Sequence, residues 1–185
     1  MKFSMKKVTV LLADGFEEIE ALTVVDLLRR AKVYVDTVSI TDDYTVRGAH
    51  GIPVQTEDLI TEIDFKESDM IVLPGGMPGT TNLKEDENVR KAVQEAYDDG
   101  RYVAAICAAP TILADMGLLK GKRATCYPDM ESEIEDAYLT GAPVATDENI
   151  ITSQGVGTAI DFALKLIEVL ISEEKAVEIA DSIVY

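Results

Sequence analysis

Short runs of almost continuous apolar residues alternate along the chain with longer segments whose apolar positions recur every three or four residues. This rhythm predicts strands and helices in alternation. Lys7 to Leu12, Val33 to Ile40, Met70 to Leu73 and Tyr102 to Ile106 have strand length. Glu17 to Ala31 reads as a helix with Ala21, Val24, Val25, Leu27 and Leu28 on one arc, acidic in its first turn and basic at Arg29-Arg30, as the helix dipole favours. Asp86 to Asp99 places Val89, Ala92, Val93 and Ala96 on one face, Thr111 to Met116 continues beyond a cysteine, and Ala159 to Ile171 and Glu173 to Ser182 close the chain as helices. Between them, Tyr44 to Thr56 reads as a hairpin or extended loop, Gly117 to Lys122 as a turn, Arg123 to Cys126 as a short strand, and Met130 to Tyr138 as a short acidic helix. Pro143 to Thr146 and Ile150 to Thr152 read as two strands joined at Asp147-Glu148-Asn149. Strands that are apolar on both faces must be covered on both sides, so the pattern implies a mostly parallel sheet between helices, an α/β domain spanning residues 1–185.

Sites in such sheets gather at the C-terminal ends of strands. Three loops meet that description: Asp14 to Glu20, Gly75 to Gly79, and Cys107 to Pro110. In the last, a strand must turn sharply into a helix at Cys107, with alanines two residues before and two after, as a tight nucleophile elbow needs. Pro110 suits the first helical turn, and the free N–H groups of Ala108 and its neighbours are expected to point back at the sulfur and favour a thiolate. A free cysteine is more commonly a small buried hydrophobe, but this spacing at a strand-to-helix switch favours chemistry. The Gly75-Gly76 loop lets backbone approach a ligand closely and offers N–H groups for an oxyanion. Neither a phosphate-loop ending nor a G-x-G-x-x-G pattern follows it, which disfavours a nucleotide. Glu17 and Glu20 fall on or beside the apolar arc of their helix and Glu18 further round, and spacing alone leaves a solvated acidic turn as the simpler expectation.

Composition narrows the function. With 17 basic and 34 acidic residues the net charge is -17, spread along the chain, which argues against nucleic acid or an anionic membrane as main partner. Two cysteines cannot form a disulfide framework and suit a reducing, cytoplasmic setting. The basic start Met1 to Lys7 followed by Val8 to Ala13 resembles a signal peptide, but Asp14 and Glu17 end the apolar run too early, and no segment is long enough to span a bilayer. His50 is the single histidine, flanked near by glycines, and no metal-ligand spacing is present.

Four segments taken together resemble the ThiJ/PfpI superfamily, in the branch of the Parkinson-disease-associated protein deglycase. They are Ala13 to Glu20, Leu73 to Gly76, Ala104 to Pro110 and Thr152 to Thr158. The resemblance runs nearly end to end. It implies a flavodoxin-like three-layer sandwich, a homodimer, a reactive Cys107, Glu20 as the acid hydrogen-bonded to it, and an oxyanion site made by Gly76 and Ala108 beside Gly75. It implies no cofactor and a small carbonyl substrate: a 2-oxoaldehyde such as methylglyoxal, or its early adducts. Many relatives carry a histidine where this chain has Ala108 or Tyr127, so a Cys-His amidohydrolase or peptidase is disfavoured and would need His50, which matches a position near the pocket mouth. A non-enzymatic oxidative-stress sensor or chaperone acting through Cys107 is the alternative from a different class. Cys126, beside Tyr127, is not favoured as a resolving thiol.

Overall fold

The structure, a computed structural model, describes residues 5–185. Met1 to Ser4, the start of the signal-like segment, lie outside the described residues. In chain order the elements are β1 (Lys7–Leu12), α1 (Glu18–Arg30), β2 (Tyr34–Ser39), β3 (Thr45–Arg47), β4 (Pro53–Gln55), β5 (Asp58–Leu59) and β6 (Met70–Leu73). There follow α2 (Gly79–Glu85), α3 (Glu87–Asp98), β7 (Tyr102–Ile106), α4 (Pro110–Asp115), β8 (Arg123–Ala124), β9 (Tyr138–Leu139), β10 (Val144–Asp147), β11 (Ile150–Ser153), α5 (Ala159–Leu170) and α6 (Glu173–Ser182).

Seven strands form one sheet in the order β10-β11-β7-β6-β1-β2-β5. All its pairings are parallel except β10 with β11, which turn back on each other at the edge. Alternation along each strand divides the core in two. Val8, Val10 and Leu12 of β1 and Val72 of β6 join Val24 and Leu28 of α1 and Phe162 and Leu166 of α5. Leu11, Ile71, Leu73 and Val103 face the other way, onto Val89 and Val93 of α3 and Ile112 of α4. The α/β sandwich expected from the pattern is therefore present, and its strands read as continuous apolar runs because both faces are covered.

From β1 the chain winds outward to β2 and β5, then crosses back to β6 on the opposite side of β1. The order therefore reverses between β1 and β6. In open α/β sheets a crevice forms outside the strand ends at such a point. The three loops singled out in the sequence leave β1, β6 and β7, which are adjacent.

The polar stretch after β2 is the antiparallel hairpin β3–β4. It is tied to the loop after β1 by Gly15 N–H to Arg47 O at 2.8 Å, Arg47 N–H to Asp14 Oδ1 at 2.8 Å and Ala49 N–H to Phe16 O at 2.8 Å. One expectation needs correction. Met130 to Tyr138 is not an α-helix: Pro128–Glu133 form a 3-10 turn, and Tyr138–Leu139 pair in parallel with Arg123–Ala124. Only Ile134 of that segment is a buried apolar residue, too little to hold a helix against the core. Helix α2 follows the Gly75 to Gly79 loop over residues to which the pattern assigned no element.

Candidate active site

Cys107 stands at the end of β7 with φ +64°, a left-handed conformation that a side chain rarely adopts and that marks a strained turn. Its neighbours hold it there: Cys107 N–H donates to Ser153 O at 3.0 Å, and Cys107 O accepts from Tyr127 N–H at 2.8 Å. Ala105 and Ala109 are fully buried, which leaves no room for larger residues around the kink. Pro110 opens α4 in its first turn, and Thr111 Oγ1 donates to Ala108 O at 2.7 Å. The amides of Ala108 and Gly76 both reach the sulfur.

The acid beside it is Glu20, 0% exposed on α1. Its Oε2 accepts Gly75 N–H at 2.9 Å, while Glu17 N–H donates to Gly75 O at 2.8 Å, so the glycine loop and the first turn of α1 are stitched together. Gly75 cannot be another residue: a Cβ there would lie 2.6 Å from both Cys107 Cβ and Glu20 Oε2. Glu20 Oε1 is buried and has no hydrogen-bond partner of good geometry, a costly state for an ionised oxygen.

The expectation of a thiolate favoured by amides alone is corrected. Burial, then the charge and hydrogen bonding of Glu20, push the Cys107 thiol up to about 12, against the lowering by the Ala108 and Gly76 amides. Burial also pushes Glu20 up to about 7, outweighing its bonds to Cys107 and Gly75, and the charge of Glu17 adds to the rise. Just above neutrality the pair therefore holds one proton. Sulfur becomes a nucleophile when that proton sits on the acid.

All three glutamates of the first turn are buried, which overturns the solvated turn that spacing favoured: Glu17 is 8% exposed and Glu18 4%. Glu18 serves the hairpin. Its Oε1 accepts the backbone N–H of His50 at 2.8 Å and of Ile52 at 3.4 Å, and its Oε2 lies 2.8 Å from His50 Nδ1. Burial works to raise the Glu18 carboxyl, but the hydrogen bonds from His50 and Ile52 outweigh it and hold the group below the usual range. His50 Nδ1 is also 3.4 Å from Glu17 Oε2, and the hydrogen bond to Glu18 with these two charges raises its pKa. Among the described residues no hydrogen bond joins His50 to Cys107, and the imidazole Nδ1 is engaged by the two glutamates.

Tyr127 does belong to the recess. A Cβ built on Gly155 would lie 3.6 Å from Tyr127 Cδ2 and 3.9 Å from both Cys107 Sγ and Glu20 Oε1, so these three groups converge on one point. Gly155, in the segment Thr152 to Thr158, is a site residue that sequence reasoning did not single out. The signal was its place at the end of a strand neighbouring β7. Cys126 is buried and free, its Sγ 3.3 Å from Tyr127 O. A cavity of about 630 Å³ between α2, α3 and α4, lined by Met77, Thr80, Lys84, Arg90 and Asp115 among others, includes neither Cys107 nor Glu20. No helix among the described residues is long and apolar enough to cross a membrane.

The profile described as the DJ-1/PfpI family matches residues 6–169. Protein DJ-1 homolog B of Arabidopsis thaliana is 40% identical over 186 residues, covering 100% of this chain, which in turn spans only 42% of that protein's length. Glutathione-independent glyoxalase DJ-1 of Schizosaccharomyces pombe is 34% identical over 182 residues, 92% of this chain and 94% of that protein. The crystal structure of Drosophila melanogaster DJ-1beta superposes with a TM-score of 0.94 at 34% identity, covering 98% of both chains.

Proposed function

Because the chain belongs to the DJ-1/PfpI family, we propose that it is a cysteine-dependent enzyme converting small 2-oxoaldehydes such as methylglyoxal, or their early adducts with amines and thiols, to 2-hydroxy acids. One observation carries the reading. Glu20 Oε1, buried and with no hydrogen bond of good geometry, lies beside Cys107 Sγ, which the Gly76 and Ala108 amides already meet. The name of the fission-yeast relative, a glutathione-independent glyoxalase, supports the same chemistry.

The steps follow from those groups. Glu20 takes the thiol proton as Cys107 Sγ adds to the aldehyde carbon; the C=O electron pair moves to oxygen, where the Gly76 and Ala108 N–H groups stabilise it. Glu20 returns the proton to that oxygen, giving a hemithioacetal. The carboxylate then moves a proton from the former aldehyde carbon to the neighbouring carbonyl carbon by way of an enediol, which leaves a thioester. Water cleaves the thioester, releasing the 2-hydroxy acid and restoring the thiol. One carbon is oxidised and its neighbour reduced, so no external oxidant or reductant enters and no cofactor is invoked. Lactate formation from methylglyoxal by the pure protein, abolished in Cys107→Ala, is the test. Full turnover by the alanine variant would refute the proposal.

A second reading is favoured by the same unpartnered oxygen: an oxidised Cys107 sulfinate would accept a hydrogen bond from protonated Glu20, making the site an oxidation sensor. A mass gain of two oxygens confined to Cys107 after mild peroxide, without aldehyde turnover, would select this reading. We also propose a homodimer. Ile19 and Leu22 on α1 and Ile52 on the hairpin are 52%, 37% and 52% exposed, an apolar face beside the buried Glu18 and the exposed His50 it holds. Light scattering on a sizing column tests it.

A further inference from the structure

Most glycines around the thiol are imposed by the chain itself. Gly75 is forced by collision, as above, and Gly76 by both its φ of +92° and a Cβ that would fall 2.4 Å from Glu17 N. Gly155 is different. Its φ of 161° and ψ of -162° are extended backbone open to any residue. A Cβ there would make only ordinary contacts, none closer than 3.6 Å. Neither conformation nor collision therefore calls for glycine.

What the missing side chain leaves is space at the reacting pair. The vacant Cβ position is in van der Waals contact with Tyr127, the sulfur and the acid oxygen at once, so a carbon added on Gly155 would stand between the ring and the reacting pair. Its wall is fixed. Gly155 N–H donates to Thr158 Oγ1 at 3.1 Å, and Gly155 O accepts from Thr158 N–H at 2.9 Å and Oγ1 at 3.0 Å. Thr158 Oγ1 is in turn 2.7 Å from Ser153 Oγ, at the end of β11. An added side chain there would have to stay in the gap.

We propose that Gly155 is a specificity-determining residue that limits the site to terminal aldehydes. A carbon attacked by Cys107 with its oxygen toward the Gly76 and Ala108 amides and its proton traffic at Glu20 Oε1 must enter this gap. An aldehyde carbon presents only hydrogen to the Gly155–Tyr127 wall. A ketone carbon presents a second carbon substituent, which would press on that wall. The inference rests on thiol addition to a carbonyl and names the substrate class within that reading.

The experiment compares wild type, Gly155→Ala, and Gly155→Ala with Tyr127→Ala. One readout is turnover of methylglyoxal. The other, independent of turnover, is the rate of Cys107 alkylation by iodoacetamide, alone and with 2,3-butanedione, whose attacked carbon carries no hydrogen to move and which can only add reversibly to the thiol. Wild type should convert methylglyoxal and gain no protection from butanedione. Gly155→Ala should lose about tenfold or more in kcat/KM, the effect of one misplaced carbon in a packed pocket, with alkylation slowed in parallel and thermal midpoint unchanged. Removing the Tyr127 ring should restore alkylation. Protection of Cys107 by butanedione, or an alanine variant alkylated at the wild-type rate, would overturn the inference. If wild type does not convert methylglyoxal, the proposed function falls, while the alkylation series still decides whether Gly155 keeps the gap open.

Discussion

Replacing Glu20 by glutamine should make the protein more stable above neutral pH, although it removes a buried group at the centre of the site. The carboxyl titrates at its ordinary 4.5 in the unfolded chain and is raised by burial to about 7 in the fold. Between those values the folded state holds a proton that the unfolded state has lost, so stability falls as pH rises through the interval. At about 1.4 kcal/mol per pH unit, the loss amounts to roughly 3 kcal/mol by pH 8. Cys107 does not contribute in this window, because its thiol is protonated in both states below its ordinary 9.0. Glutamine keeps an oxygen to accept the Gly75 N–H bond but carries no charge to bury. Urea unfolding of both proteins from pH 4.5 to pH 8 provides the assay, and taking the difference cancels the other carboxylates. The two should be nearly equal at the acid end, with the glutamine variant gaining roughly 3 kcal/mol at the alkaline end. A difference that does not change with pH, or a variant weaker than wild type at pH 8, would refute the argument that Glu20 is an acid held against its ionisation.

The remaining predictions probe the frame around that pair. Gly75→Ala places a carbon 2.6 Å from Cys107 Cβ and Glu20 Oε2, and should abolish methylglyoxal turnover and lower the thermal midpoint together, as a calorimetric scan would record. Phe162→Ala empties a fully buried site in the layer between α1, α5 and the sheet and should cost about 3–5 kcal/mol in urea unfolding, with Cys107 alkylation at native pH unchanged. Asp86 caps α3 by accepting Asn88 N–H at 2.8 Å and Val89 N–H at 2.9 Å, so Asp86→Ala should cost about 1 kcal/mol. His50 is raised by Glu18, so its contribution is present below pH 6.5 and fades as pH passes the folded value. His50→Ala should be less stable than wild type at pH 6, and the gap should narrow as pH rises above 6.5.

The layered sheet was legible because burial on both faces leaves a local mark: Met70 to Leu73 or Tyr102 to Ile106 can only be interior strands. The elbow was legible for the same reason, since a strand, a kink flanked by small residues and a proline-led helix are all written in consecutive positions. Helix α2 was not, because Gly79-Thr80-Thr81 has low helix propensity and Leu83 alone supplies a large buried side chain; contacts with α3 and α4, absent from any sequence window, hold it.

The acid beside the sulfur shows most clearly where spacing stops being informative. Helical period separates the face of α1 that meets the sheet from the face that looks away, and by that rule Glu18 belongs outside and Ile19 is free to be either. In the fold the first turn of α1 sits beneath two further layers: the β3–β4 hairpin lies over Glu18, and the Gly75 loop lies over Glu20. Glutamates therefore face inward on more than one side of the helix, while Ile19 is half-exposed. The same distinction separates the two influences on Cys107. Donation from the Ala108 amide is a consequence of the local turn and can be foreseen from it. Desolvation comes from everything packed around the turn, and it is the larger effect. A nucleophile's position can thus be read from a few residues, but its protonation state depends on how tightly the rest of the molecule closes over it.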